Sequence, residues 1–148
     1  MHNVAPRAWI GIDVAKCALD VCLHPEGSKP LSRQFDNSPA GFAKLLLWVQ
    51  GHTPEADCHF CLEATGTYSQ GLALFLAEAG HKVSIVNPFR IKHAALSRGV
   101  GSKTDQADAQ VLADYCRKEN PPLWRAAAPE VRTLVALLRR LQNFKDQL

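Results

Sequence analysis

No apolar run in this chain approaches the length needed to cross a bilayer. The longest strongly apolar stretch is Leu45-Leu46-Leu47-Trp48-Val49, whereas a spanning helix takes roughly 20 such residues. Met1 to Arg7 lack the charged-then-apolar layout of a secretory leader, so a cytoplasmic protein without membrane attachment is expected. Neither an internal repeat nor a low-complexity segment appears. The five cysteines, an odd number without a regular framework, point to reduced thiols. Cys58 and Cys61 have a C-x-x-C spacing around His59, but no second ligand pair accompanies them. Positions three apart on a strand also face opposite ways, so buried thiols are expected and not a metal or redox centre.

What is present fits a single domain of 148 residues with a real core. The net charge of +3 conceals an asymmetry: residues 1–80 hold five Lys/Arg against eight Asp/Glu, and residues 81–148 hold twelve against six. The stretch from Lys82 to Lys103, ends included, holds five Lys/Arg and no acid. Such a patch beside an acidic pocket suits a site that holds phosphates next to cations, although a solvated basic face has the same composition.

Hydrophobic periodicity predicts strands over 8–14, 18–24 and 30–36 in an antiparallel meander. A helix over 39–50 follows, with Ser38 as N-cap and Pro39 in its first turn. A buried strand at 57–63 comes next, then a helix over about 68–79 with a Thr67/Gln70 capping box, and a strand at 82–86. Helices follow through Ile91 to Ser97, from about Asp105 to Arg117, and from Pro129 to the chain end. The order defines a mixed α/β sheet of five strands with right-handed crossovers.

Four carboxylates stand where an acid needs a reason. Asp13 ends Trp9-Ile10-Gly11-Ile12-Asp13-Val14, and Glu63 ends Cys58-His59-Phe60-Cys61-Leu62-Glu63. Asp105 and Asp108 open a helix three residues apart, and so share a face, with Leu112 below them towards the core. An acid at the end of a buried strand is costly unless donors or a cation satisfy it. Oxygen-only donors suit magnesium or manganese, and two such ions about 4 Å apart serve phosphodiester chemistry. Singly, each acid has a plainer reading: a helix-dipole partner for Asp105 and Asp108, a turn hydrogen bond for Asp13, solvent exposure for Glu63.

The order of elements, with acids on the first and fourth strands, resembles the RNase H-like fold in its RuvC-like form. Gly11-Ile12-Asp13-Val14-Ala15-Lys16, Glu63-Ala64-Thr65-Gly66-Thr67-Tyr68, Asn87-Pro88 and Lys103-Thr104-Asp105-Gln106-Ala107-Asp108-Ala109 resemble the DEDD transposases of bacterial insertion sequences. That family is related to the Piv/MooV DNA invertases and includes bridge-RNA-guided recombinases. The match covers about residues 8–118, in order. It implies a prokaryotic protein whose Asp13, Glu63, Asp105 and Asp108 are catalytic and bind two Mg2+ or Mn2+ ions, with DNA and a guide RNA as partners. It also implies a serine-bearing second domain outside these residues; Ser97 and Ser102 do not take that serine's role, and unaided recombination by residues 1–148 is not expected.

The expected organisation is a flexible N-terminus at 1–7, a RuvC-like catalytic domain at 8–120, and a linker opening a coiled-coil-like segment at 121–148. Lys16, Lys82, Arg90, Lys92, Arg98 and Lys103 are the candidate nucleic-acid contacts; Thr67, Tyr68 and Asn87 lie on loops near the same strand ends. Leu134, Leu137, Leu141, Phe144 and Leu148 fall on the a and d positions of a heptad, so the last helix is expected to form homo-oligomers. The competing readings are a stand-alone Holliday-junction-type nuclease, a sugar-kinase or actin-like ATPase, and a non-catalytic RNA-binding or assembly domain. The ATPase reading is weak because Val14-Ala15-Lys16 lacks the glycine that close backbone approach to phosphate requires.

Overall fold

The computed structural model describes residues 5–64, 66–97, 105–126 and 129–146. Strands β1 (Arg7–Val14), β2 (Ala18–Pro25) and β3 (Leu31–Asp36) precede helix α1 (Pro39–His52) and strand β4 (Asp57–Glu63). A 3-10 turn at Gly66–Ser69 leads into α2 (Gln70–Glu78), and β5 (Lys82–Val86), α3 (Pro88–Ser97), α4 (Asp105–Glu119) and α5 (Pro129–Asp146) follow. The sheet order is β3-β2-β1-β4-β5. β1, β2 and β3 form the antiparallel meander, while β4 joins β1 and β5 joins β4 in parallel.

Period-two alternation divides the sheet into two faces. Ile10, Ile12, Leu19, Val21, Leu23, Phe60 and Leu62 point to one side, where Phe42, Leu45 and Val49 of α1 and Leu72 and Leu76 of α2 bury them. Trp9 and Cys61 point to the other side and meet Val111, Leu112 and Cys116 of α4 and Ile91 of α3. The smallest contacts on that side are Cys22, Ala109 and Ala113, which form their own cluster. The Ser38 cap forms as expected: Gly41 N donates to Ser38 Oγ at 3.1 Å, with Pro39 in the first turn.

Two expected starts are corrected. The Thr67/Gln70 capping box does not form. Gly66, at φ 71°, lets the chain tighten into the 3-10 turn, and Ser69 becomes the N-cap residue of α2 without a side-chain cap. Its hydroxyl donates to Gly66 O at 3.3 Å instead. α3 begins at Pro88, ahead of the expected Ile91, because Asn87 Oδ1 accepts from Phe89 N at 2.8 Å and a proline is at home in a first turn.

After α4, residues 121–126 run along the β5 edge, where Trp124 N donates to Val83 O at 2.7 Å. On α5, Leu134, Leu137, Leu141 and Phe144 are 55–61% exposed, so the described part of the heptad seam does not pack on its own sheet. Leu148 lies outside the described residues. No helix among them is long and apolar enough to cross a membrane.

Candidate functional site

The parallel register of β1 and β4 pairs Arg7 with Asp57 and continues step by step to Ile12 with Leu62. Asp13 and Glu63 follow one residue later on each strand, so they are neighbours across a strand spacing of about 4.8 Å. By alternation they share the face of Gly11 and Cys61, the side that α4 covers. Both are half-buried. The adjacency and common face of these two acids follow directly from the pattern of strand ends.

The direction of α4 determines what lies above them. A Cβ added to Gly11 would collide with the backbone of Ala109 and Ala113 and come within 2.8 Å of Leu112 Cβ. Further along α4, Cys116 Sγ–H donates to the carbonyl of His59 at 3.7 Å, and His59 is level with Trp9. The helix therefore descends from Gly11 towards Trp9, antiparallel to β1. Its N-terminal turn extends the opposite way, to the level of Asp13 and Glu63. Asp105 and Asp108 occupy the first and fourth positions of that helix; their side chains lie outside the described residues. Among the described residues no three His, Cys, Asp or Glu side chains gather as a metal-holding group. What is described is two carboxylates, adjacent, half-buried and at the end of the sheet where α4 begins; oxygen donors of this kind fit a hard divalent ion.

Gly11 was the missed element. Only the absence of a side chain there lets the α4 backbone rest on β1, which makes it the residue that sets the height of the helix over the acids.

The candidate cations separate into two groups. Lys16, in the β1–β2 turn, and Arg90 and Lys92, on α3, are exposed at the C-terminal end of β1, β4 and β5, the same end as the acids. Lys82 is not brought there. It starts β5, level with His59, and its Nζ bonds Asp57 Oδ2 at 2.9 Å at the opposite end of the sheet. Arg98 and Lys103 lie outside the described residues. At the acid end, Asn37 Nδ2 ties two loops together by donating to Ala15 O at 2.8 Å and Tyr68 O at 3.1 Å. Tyr68 and Phe89, exposed by 48% and 76%, flank this rim.

Other polar groups on the α4 side hold structure. Ser84 Oγ–H donates to Pro121 O at 3.0 Å, so its single proton is committed, and His59 Nε2 lies 2.7 Å from the same oxygen as donor. With its proton on a backbone carbonyl and its side chain fully buried, Ser84 is a structural group. Buried Asp114 is bonded by Arg117 at 3.1 Å one turn along α4. Cys61 is pushed up by its hydrogen bond to Cys116 and by burial, and burial pushes Cys22 up to about 11. These two thiols are protonated packing groups, whereas Cys58 is half-buried and Cys17 exposed.

Five strands in this order, with acids at the ends of β1 and β4 beneath α4, define an RNase H-like domain of the RuvC type. Two structures of RuvC from Thermus thermophilus share the fold. One, in complex with a Holliday junction substrate, superimposes with a TM-score of 0.56 at 17% identity, over 80% of this chain and 99% of that one. The other gives 0.55 at 18% identity, over 79% and 99%. Residues 10–148 match the model of the IS110-type DEDD transposases, described as a transposase, and the chain belongs to that family. It is also similar to the pilin gene-inverting proteins of Moraxella bovis and Moraxella lacunata, 42% and 41% identical over 143 residues. The aligned region is 96% of this chain but 44% of each relative, so the chain spans less than half the length of these curated relatives.

Proposed function

We propose that this chain is the metal-dependent, RuvC-like half of a DNA transposase or recombinase, with residues 8–120 as the catalytic domain. What supports the reading is the adjacency of Asp13 and Glu63, each one residue past the last paired step of β1 and β4, at the end of the sheet towards which the start of α4 extends. Together with Asp105 and Asp108 of that helix, these acids are the proposed ligands of two magnesium or manganese ions. Bound there, such ions supply activation of an attacking oxygen and stabilisation of the leaving oxygen in phosphodiester cleavage. The carboxylates hold the ions; Lys16, Arg90 and Lys92 on the same rim, with Arg98 and Lys103, attract and orient the phosphate backbone. Lys82 contributes least to this task, given its ion pair at the far end of the sheet.

The relatives named for inverting a pilin gene support DNA recombination as the process. A guide RNA and a serine-bearing second domain belong to this proposal through the family resemblance. α5 is the proposed self-association element, its exposed leucine seam pairing with the same seam of a second copy. The stand-alone junction nuclease is the second reading, supported by the fold it shares with RuvC.

Calorimetric titration of manganese into the chain, repeated on Asp13→Asn and Glu63→Gln, tests the proposal. Binding is expected in the wild type and lost, or weakened at least tenfold, in both variants. Equal binding in all three would refute it. Efficient strand exchange by residues 1–148 alone would instead favour the self-sufficient nuclease.

A further inference from the structure

On the opposite side of the sheet from α4, a cleft of about 640 Å³ opens between α2, the β5 edge and α5. Its floor is apolar, formed by Ala64, Leu74, Ile85 and the half-buried ring of Trp124, and its polar groups are Ser69, Gln70, Arg125 and Arg139. No acid lines it. Arg139 Nη1 donates to Gln70 Oε1 at 2.9 Å, which fixes a guanidinium at the mouth while leaving its charge uncompensated by this neutral partner. The N-terminus of α2 faces the cleft through Gln70 and Gly71 and carries no side-chain cap. Ala64, the residue after Glu63, is part of the floor, so only the C-terminal rim of β4 separates the cleft from the acids.

An indole floor edged by two arginines and a helix start has the chemistry of a nucleotide: a flat apolar ring to stack on, and cations and N–H groups for a phosphodiester. The volume lies within the usual range of small-ligand sites, roughly 300–1,000 Å³. That suits one or two unpaired nucleotides and is too confined for a duplex.

We propose that this cleft binds an unpaired stretch of nucleic acid, one base against Trp124 and its phosphates on Arg125 and Arg139, and leads that strand over the β4 rim towards Asp13 and Glu63. The proposal rests on the nucleic-acid reading above and names its substrate as single-stranded at this point. Strands of DNA and RNA share the chemistry described, and separate experimental arms distinguish them.

The test is fluorescence anisotropy with a labelled twelve-nucleotide single strand of DNA, its RNA copy, and the DNA duplex. EDTA is present throughout, so the carboxylates contribute no metal bridge. Arg125→Glu with Arg139→Glu, both at exposed positions, is expected to weaken single-strand binding by at least tenfold. The magnitude of the slope of log affinity against log salt should fall by about 1.4, the value for two phosphate contacts at 0.7 each. Trp124→Ala should weaken binding by about tenfold, and Trp124→Phe, which keeps a stacking ring and guards against a folding artefact, by much less. Tighter binding of the RNA copy would assign the cleft to a guide strand, and tighter binding of the DNA to a substrate strand. Single-strand affinity unchanged in the double variant would overturn the proposal, as would a duplex weakened as much as the single strand. Manganese titration of the Arg125→Glu, Arg139→Glu variant is expected to match the wild type, so failure of the metal site and failure of the cleft remain separable.

Discussion

The two faces of the central sheet are built from different residues for different ends. Even-numbered positions of β1, Ile10 and Ile12, join Phe60 and Leu62 of β4 in an interior of large aliphatic and aromatic side chains under α1 and α2. Odd-numbered positions, Trp9, Gly11 and Asp13, face α4, where a smaller apolar cluster around Trp9, Cys61, Val111 and Leu112 gives way to close backbone contact at Gly11 and to a carboxylate at the strand end. One residue's step along the same strand thus moves from a group whose burial stabilises the fold to one that costs stability unless a ligand or donor compensates it. The α1/α2 face supplies stability, and the α4 face uses part of that stability to hold acids together at a strand end.

That division can be challenged from its strongest consequence downwards. Phe60→Ala empties a fully buried site on the stabilising face and should cost about 3–5 kcal/mol in denaturant unfolding. Manganese affinity of the protein that remains folded should be unchanged. Gly11→Val should cost less, about 1–3 kcal/mol, yet abolish metal binding because α4 is lifted from β1. Exchange of α4 amides with solvent, faster than in the wild type while α1 is unaffected, would register that displacement. Asp13→Asn, beside Ile12, should change stability by no more than about 0.5 kcal/mol while removing the metal. A large stability loss from this substitution would mean that the two faces are not divided as described.

Smaller effects sharpen the picture away from the sheet. Light scattering should find an oligomer for the wild type and a monomer for Leu137→Asp with Leu141→Asp; monomers in both would end the self-association proposal. His81 stacks edge-on against Phe60 at 5.4 Å between centroids, and burial lowers its pKa from 6.5. The unfolded chain therefore takes up this proton more readily than the folded chain. The histidine's contribution is fully present above pH 6.5 and is lost as pH falls through that value towards the folded pKa. His81→Gln should accordingly lessen the drop in Tm between about pH 7 and about pH 5.

Much of this was legible in the chain. Alternation over 8–14, 18–24 and 57–63 reflects strands with two unlike faces, and the Ser38-Pro39 step marks a helix start. The site's frame was legible too, because acids that end apolar strands are conspicuous. What escaped depends on relations between distant segments. Gly11 reads as an ordinary strand glycine until α4 is seen resting on it. Lys82 belongs to a basic run along the sequence, but strand direction carries it to the opposite end of the sheet, where Asp57 meets it. Arg125, Arg139 and Trp124 converge with Gln70 only because the 121–126 segment follows β5 and α5 returns across α2. No local spacing encodes that convergence. The 3-10 turn before α2 was missed for a local reason: Gly66 and Ser69 satisfy each other and displace the expected capping box.

The most direct test of the central claim is anomalous diffraction from crystals of the wild-type chain soaked in manganese, with Asp13→Asn crystals as control. Two peaks about 4 Å apart are expected between the C-terminal ends of β1 and β4 and the first turn of α4, and none in the variant. Peaks elsewhere on the surface, or carboxylates of Asp13, Glu63, Asp105 and Asp108 more than about 10 Å apart and beyond the reach of one metal pair, would contradict that claim.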